Sequence, residues 1–458
     1  MKISFKSTAL NLTFFCMFFS TIELTAKPHT FSSHKAIIDE KGALQEIEST
    51  IGSKHYYKLG KLLEKNIDVT VTLNEVKQIA IKHNATHLLS AIEATQAIGK
   101  QKIKNLGSSR SKFLQTALFI EYALPEYVKR KHFFLKKEQT GLSCALEYDP
   151  QTKKTFIILD KNEKTYLGRG ANKVVTKSIL YNKSKPEIIA RALQTQVREI
   201  ELEITSKFKD AEGIMKVLSC TKYIDKGVTY RTIYAKLYNT GSLSHAFKMK
   251  CKFSLYEKMK IAHNILQGLR ELHEKNIAHF DIASANCLIE IPREPPGRRN
   301  IVAVIADLGR ANTINTPFDP NKRVQGHTSY TPPEGLFTEK MRGRDYCSSD
   351  VYAVGCIFYQ LFYNKLAPWQ DSKLIRSKTE SKSMVHDKLV GKIQQYTGAR
   401  RTYLTYRLAH ASENDPLITR EAFEHLILRM VDPNPKARGT AAELYQELKM
   451  IMQQSNLN

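Results

Sequence analysis

Three residues in the second half of the chain have the types and spacing to do chemistry together. The stretch "IAHFDIASANCLIE", Ile277 to Glu290, sets Asp281 and Asn286 five residues apart in a polar loop between an apolar helix and an apolar strand. In "VAVIADLGRA", Asp307 follows a buried-strand pattern and stands just ahead of a glycine. Two carboxylates and an amide in this order suit phosphoryl transfer. One carboxylate orients a hydroxyl nucleophile and takes its proton, while the amide oxygen and the second carboxylate hold magnesium against the phosphates. Asp and Asn also end helices and make turns, so each residue alone is weak evidence. Their occurrence in sequence order is much stronger.

A phosphate-facing partner would have to lie upstream. "YLGRGANKVVTK", Tyr166 to Lys177, carries Gly168 and Gly170 in an otherwise strand-like stretch. Glycines let a backbone come close to phosphates, although they also serve ordinary turns. Three residues after Gly170, where a third glycine might stand, the chain has Lys173.

The elements that must position these residues are legible in outline. The 458 residues leave room for two or three domains, and 42% hydrophobic with 25% charged residues is ordinary for a globular protein. The net charge of +25 points to an acidic partner or to a solvated basic surface. An anionic membrane surface is one candidate partner; no specific nucleic acid is expected. Residues 27–138 read as helices. "TLNEVKQIAIKH" has a capping box from Thr72 to Glu75, with Val76, Ile79, Ala80 and His83 on one face. "KFLQTALFIEYAL" is a second apolar helix, and "YVKRKHFFLKK" reads as a basic, solvated helix end. Near residue 140 the pattern turns to alternating strands and hairpins. From Ser254 onward it is mostly helical. A small sheet-rich unit followed by a larger helical one implies two lobes with a cleft between them.

Taken together, residues from about 160 to 450 resemble a eukaryotic-type protein kinase domain. The family's His-Arg-Asp loop and its downstream asparagine resemble His279-Phe280-Asp281 through Asn286, and its Asp-Phe-Gly resembles Asp307-Leu308-Gly309. Its Ala-Pro-Glu resembles Pro332-Pro333-Glu334. Its buried helix aspartate corresponds to Asp350, and the arginine that pairs with the Ala-Pro-Glu glutamate corresponds to Arg438. "AKLYNTGSL" sits where the interlobe hinge should be, so Ala235, Lys236 and Tyr238 would border adenine. The resemblance implies an α+β, bilobal fold over residues 139–452, with an N-lobe to about residue 237. It implies transfer of the ATP γ-phosphoryl group to a protein hydroxyl, serine or threonine rather than tyrosine, with ATP and magnesium as cofactors. Asp281 would be the base, and Asn286 and Asp307 the metal ligands. Gly168, Gly170 and Val175 would cover the nucleotide. His279, Glu334, Asp350 and Arg438 would be structural. The alternative is a pseudokinase that binds nucleotide or a partner without turnover.

The chain departs from the family at the third-strand lysine. In "IIARAL" the matching position holds Arg191. The with-no-lysine kinases resemble this arrangement: their glycine loop, Gly-Arg-Gly-x-x-Lys-x-Val, matches "GRGANKVV". The resemblance makes Lys173 the working lysine, with Arg191 in support at the nucleotide. Glu201 would orient it, because Ile204 and Phe208 then fall on the inward face; Glu199 is the alternative. Phe280 replaces the arginine that reads activation-loop phosphorylation, Ala283 replaces a lysine, and His327 replaces a threonine of the substrate-facing segment.

Three further expectations complete the reading. Lys2, Lys6 and the apolar run Ala9 to Ile22 look like a signal peptide or signal anchor over residues 1–26. This implies an exported or membrane-anchored protein, either facing the cytosol or secreted into a host cell. Seven scattered cysteines without a CxxC argue against a disulfide framework or a zinc site, and "HEKNIAH" has the wrong histidine spacing for one helix face. The insert "IEIPREPPGRRN" should be an exposed loop between two strands, removable from Arg293 to Arg299 without loss of the fold.

Overall fold

The structure, a computed structural model, describes residues 40–52, 56–67, 71–122, 133–170, 173–183, 185–195, 199–225, 227–315, 328–341, 343–370, 379–411 and 417–454. The leader, the loop residues 171–172 and His327 lie outside the described residues. Among the described residues, no helix is long and apolar enough to cross a membrane.

The helical region comprises α1 (Glu40–Gly52), α2 (Tyr56–Asn66), α3 (Leu73–Lys82), α4 (Thr86–Ile98), α5 (Lys100–Asn105) and α6 (Arg110–Tyr122). The capping box on α3 is formed. Thr72 Oγ1 accepts from the Glu75 N–H at 3.3 Å, and Glu75 Oε2 accepts from the Thr72 N–H at 2.6 Å. Val76 and Ala80 are buried and Ile79 is half-buried, but His83 is at the exposed C-cap, where it reaches Glu48 at 2.9 Å. Helix α6 is buried on nearly every side from Phe113 to Ile120.

The sheet begins earlier than residue 139. Phe133–Leu135 forms β1, paired with β2 (Ala145–Asp149), so the end of the basic, aromatic stretch is a strand and not a helix end. Alternating aromatic side chains there find cross-strand partners, which a period-3.6 reading misses. Strands β3 (Lys154–Ile158), β4 (Tyr166–Arg169), β5 (Lys173–Tyr181), β6 (Glu187–Gln194), β7 (Val217–Asp225) and β8 (Val228–Lys236) complete an antiparallel sheet of order β1-β2-β3-β5-β6-β8-β7. β3 and β4 share one edge of β5, the first along Ser178–Tyr181 and the second along Val174–Thr176.

The two faces of this sheet have different tasks. Leu146, Ile157, Ile179 and Tyr181 lie on one face and join the core of the six helices, so helical region and sheet share one apolar cluster. A Tyr181 hydroxyl to Glu121 hydrogen bond of 2.9 Å sits inside that contact. The opposite face is closed by the sheet curling on itself. β2 returns to β7: Ser219 Oγ donates to Asp149 Oδ2 at 2.6 Å, Lys154 Nζ donates to Leu218 O at 2.9 Å, and the Phe134 ring stacks on Tyr223 at 4.6 Å.

The second lobe is helical. It contains α8 (Leu255–Glu274), α9 (Arg344–Tyr363), α10 (Lys382–Ala409), α11 (Ile418–Met430) and α12 (Ala441–Gln454), while α7 (Glu199–Ser206) belongs to the first lobe. One apolar cluster runs through this lobe and includes the chain's single tryptophan, fully buried Trp369. Gly213 crosses α8 at Gly268 so closely that a Cβ on Gly268 would lie 2.1 Å from the Gly213 carbonyl oxygen. Only glycine fits there. Strand β9 (Gly241–Ser242) pairs with β11 (Cys287–Glu290), and β11 with β12 (Val302–Ile305). Strand β10 (Ile277–Ala278) pairs with β13 (Asn312–Thr313).

The proline-rich insert does connect β11 to β12, but its end is not a free loop. Arg299 is buried and grips the fully buried Glu257 of α8 through Nε at 2.7 Å and Nη2 at 3.0 Å. The Gly297 and Arg299 N–H groups also donate to that carboxylate, at 2.9 and 3.2 Å. Burial alone would raise the Glu257 pKa, yet these donors hold it down to about 2. Removing Arg293 to Arg299 would strand this carboxylate, and breaking a buried pair costs about 3–5 kcal/mol. The expectation of a dispensable insert is therefore corrected.

Candidate active site

The catalytic loop is hung from one buried carboxylate. Asp350, 3% exposed on α9, accepts the His279 N–H at 2.7 Å through Oδ2 and the Phe280 N–H at 3.0 Å through Oδ1. His273 lies 3.2 Å from the same Oδ2. Burial pushes the His273 pKa down, but hydrogen bonds and charge from Asp350 and Cys347 outweigh burial and raise it to about 9. The fully buried His279 fixes the next joint. Its Nδ1 accepts the Asp281 N–H at 3.2 Å, which leaves Nε2 to donate to the Ala306 carbonyl at 3.0 Å. Asn286 closes the loop: its Nδ2 donates to the Asp281 carbonyl at 2.8 Å and to Asp281 Oδ2 at 3.3 Å. With the amide nitrogen engaged, the Asn286 oxygen is the group left for a cation.

Two residues of this loop region adopt left-handed backbone angles that non-glycine residues rarely take, Phe280 at φ +62° and Asp307 at φ +66°. Phe280 turns its ring into an apolar cluster with Ala278, Met341 and Tyr346, 4.9 Å from the Tyr346 ring. It therefore packs this loop against the start of α9. A small cavity beside Asp281 is lined by Phe280, Ile282, Tyr330, Pro332 and Met341.

Asp307 faces the glycine loop. The Lys173 ammonium forms an ion pair with Asp307 Oδ2. Burial opposes ionisation, but the Lys173 charge and hydrogen bond, His279 and the Gly309 N–H hold the Asp307 carboxyl below the usual range. Gly170 lies under the lysine stem, where a Cβ would meet Lys173 Cγ at 3.2 Å; beside Gly168 the space is open within 4 Å. Glu201 of α7 is 6% exposed, with Ile204 buried on the same helix and Phe208 buried in the turn just after it. Both Glu201 carboxylate oxygens would lie 3.5 Å from a Cβ on Gly309. The side chain of Glu199 lies outside the described residues.

Arg191 does not join this group. Directly opposed residues of antiparallel strands share a face. Arg191 is opposed by Thr176 and Tyr234, whereas Val175 is opposed by Ala192, and Ala235 by Ala190. The face that holds Val175, Lys173 and Ala235 is the cleft face, so β6 presents Ala190 and Ala192 to the cleft and turns Arg191 away. Arg191 is 7% exposed inside the curled sheet, interacting with Tyr223 and Tyr234; the Tyr234 hydroxyl donates to fully buried Glu147. The assignment of Arg191 to the nucleotide is corrected by a one-residue register, to which a strand is acutely sensitive.

The remaining predicted residues fall around the same centre. Ala235 and Tyr238 are buried at the interlobe hinge, and Lys236 pairs with Glu290 at 2.7 Å. Arg438, fully buried, holds Glu334 by two bonds, Nη1 to Oε1 at 2.5 Å and Nη2 to Oε2 at 2.9 Å. One nearby charge was missed. Arg310 Nε lies 3.6 Å from Asp281 Oδ2. The only signal was a basic residue directly after Asp307-Leu308-Gly309.

This geometry agrees with sequence comparison. The protein kinase domain family model matches residues 162–448, and the chain belongs to that family. The chain is 26% identical over 277 residues to the serine/threonine-protein kinase plk-1 of Caenorhabditis elegans, covering 60% of this chain and 34% of that protein. It is 28% identical over 183 residues to the serine/threonine-protein kinase PLK4 of Drosophila grimshawi, covering 40% of this chain and 22% of that protein. It is 24% identical over 255 residues to the probable serine/threonine-protein kinase MARK-C of Dictyostelium discoideum, covering 55% of this chain and 27% of that protein. The chain thus matches at most about a third of the length of these relatives.

Proposed function

We propose that this chain is a serine/threonine protein kinase that transfers the ATP γ-phosphoryl group to a protein hydroxyl, with its phosphate-anchoring lysine on the glycine strand. The observation that carries this reading is the ion pair between Lys173 and Asp307, on a face where β6 sets Ala192 opposite Val175 and Ala190 opposite Ala235. The names of the relatives support the serine/threonine class.

In this reading Asp281 orients the acceptor hydroxyl and takes its proton. The Asn286 amide oxygen and the Asp307 carboxylate form an all-oxygen donor set suited to magnesium. Bound magnesium would neutralise charge on the phosphates. Lys173, whose stem lies beside Gly170, would reach the phosphates from the glycine strand. Ala235 to Tyr238 border adenine. Glu201 lies beside Gly309, and the lysine expected to pair with it, Lys173, meets Asp307 instead. The resemblance to with-no-lysine kinases fits this division of labour.

The test is incubation of the purified full chain with labelled ATP, magnesium and generic protein substrates, followed by phosphoamino-acid analysis. Label should appear on serine or threonine. Asp281→Asn should reduce transfer by about 10²- to 10⁴-fold and leave nucleotide binding largely intact. A wild-type protein that binds ATP and transfers nothing would replace this reading with that of a binding scaffold.

A further inference from the structure

We infer that Arg310 is a second cation of the transfer site, a catalytic residue that meets the charge developing on the transferring phosphoryl group. This rests on the kinase reading above. Arg310 ends the short turn Leu308–Arg310 that follows Asp307. Its Nε is 3.6 Å from Asp281 Oδ2, and its side chain is 43% exposed against 12% for Asp281. One edge of the guanidinium therefore rests beside the catalytic carboxylate while much of the side chain stays open to solvent. A guanidinium carries five N–H donors in a fixed fork, so contact through Nε leaves the terminal nitrogens for another anion.

The catalytic loop cannot supply this charge itself. Between Asp281 and Asn286 stand Ile282, Ala283, Ser284 and Ala285. Ile282, Ala283 and Ser284 are buried. Lys173 is engaged by Asp307. Lys173 thus meets Asp307 from the glycine strand, and Arg310 meets Asp281 from the turn that follows Asp307. Arg310 is the cation on the side where the hydroxyl must arrive. Charge spreads over the equatorial oxygens during phosphoryl transfer, and a fork-shaped cation suits that distribution. A half-exposed ion pair kept only for stability would contribute little to the fold and would leave turnover unchanged.

The experiment compares wild type, Arg310→Ala, Arg310→Lys and Asp281→Asn in the full chain. The readouts are kcat, KM for ATP, melting temperature and recovery of activity with millimolar guanidinium. Arg310→Ala should lower kcat about 10²-fold or more with little change in KM or melting temperature. Arg310→Lys should keep part of the rate, and guanidinium should restore part of the Arg310→Ala rate. Wild-type kcat in Arg310→Ala, beside an inactive Asp281→Asn, would overturn this inference alone. A faster Arg310→Ala would also overturn it, because Arg310 would then be a restraint on Asp281. If wild type transfers no phosphate, the kinase reading falls and this one with it.

Discussion

Asp350 in the C-lobe and Arg191 in the N-lobe are both buried charges on regular elements, and the fold uses them in different ways. Asp350 spends its oxygens on backbone N–H groups of the catalytic loop, so it fixes the path of the chain and, through it, Asp281. Arg191 meets side chains, Tyr223 and Tyr234 near Glu147, within a sheet closed over a partly polar interior. Arg191 is thus held among side chains of the first lobe, while the cation that meets Asp307 comes from the neighbouring strand, at Lys173. The lesson concerns backbone geometry. A loop held by named backbone contacts keeps its functional residues where sequence spacing puts them. A strand exchanges its two faces at every residue.

The sharpest way to break this comparison is to remove the two cations separately. Arg191→Met should destabilise the protein by about 1–3 kcal/mol, because the Tyr223 hydroxyl and the buried Tyr234 hydroxyl would lose a hydrogen-bonding partner. The rate per folded molecule should change little. Lys173→Met should leave the melting temperature near wild type and lower turnover about 10²-fold, equivalent to about 2.7 kcal/mol. Thermal melts and initial-rate assays on both variants decide the matter. A thermally normal but inactive Arg191→Met would mean that the third strand still serves the nucleotide.

A gentler perturbation tests the Asp350 side. The folded-state pKa of His273 is raised to about 9. Its pairing with Asp350 therefore stabilises the fold fully below the ordinary histidine value near 6.5 and is lost as pH rises through about 9. Denaturant titrations between pH 6 and 10 should show stability falling over that window, and His273→Gln should flatten the fall. An unchanged slope in the variant would remove His273 from the anchoring of the loop.

The smallest effect belongs to the helical region. Thr72→Ala removes the N-cap of α3 and should cost about 1 kcal/mol, visible as a modest drop in melting temperature. Turnover at low temperature should stay the same, because α3 lies far along the chain from the transfer site.

The places that Asp281, Asn286, Asp307, Glu334, Asp350 and Arg438 take in the fold were legible in the sequence because they sit in motifs whose spacing is itself the signal. The split between loop and strand explains the rest. Arg191 was misplaced because its side depends on register, which pairing with Thr176 and Tyr234 settles only in three dimensions. β1 was hidden because its partner, β2, lies beyond a turn. Arg299 looked like one more basic loop residue, and its burial depends on Glu257, more than forty residues earlier. The shared core of helices and sheet was also unreadable, since no single stretch announces which of its faces another element will cover.

Trp369 gives the molecule an optical asymmetry. It is the only tryptophan among 458 residues and is fully buried in the C-lobe cluster, with the Tyr359 ring 5.0 Å away. Its emission therefore reports on one lobe, while far-ultraviolet circular dichroism sums over the whole chain. If the helical region and curled sheet melt apart from the C-lobe, the two signals will give different midpoints, because coincident transitions are expected only of a two-state unit. One natural fluorophore can thus tell, without any label, whether the two halves of the chain come undone together.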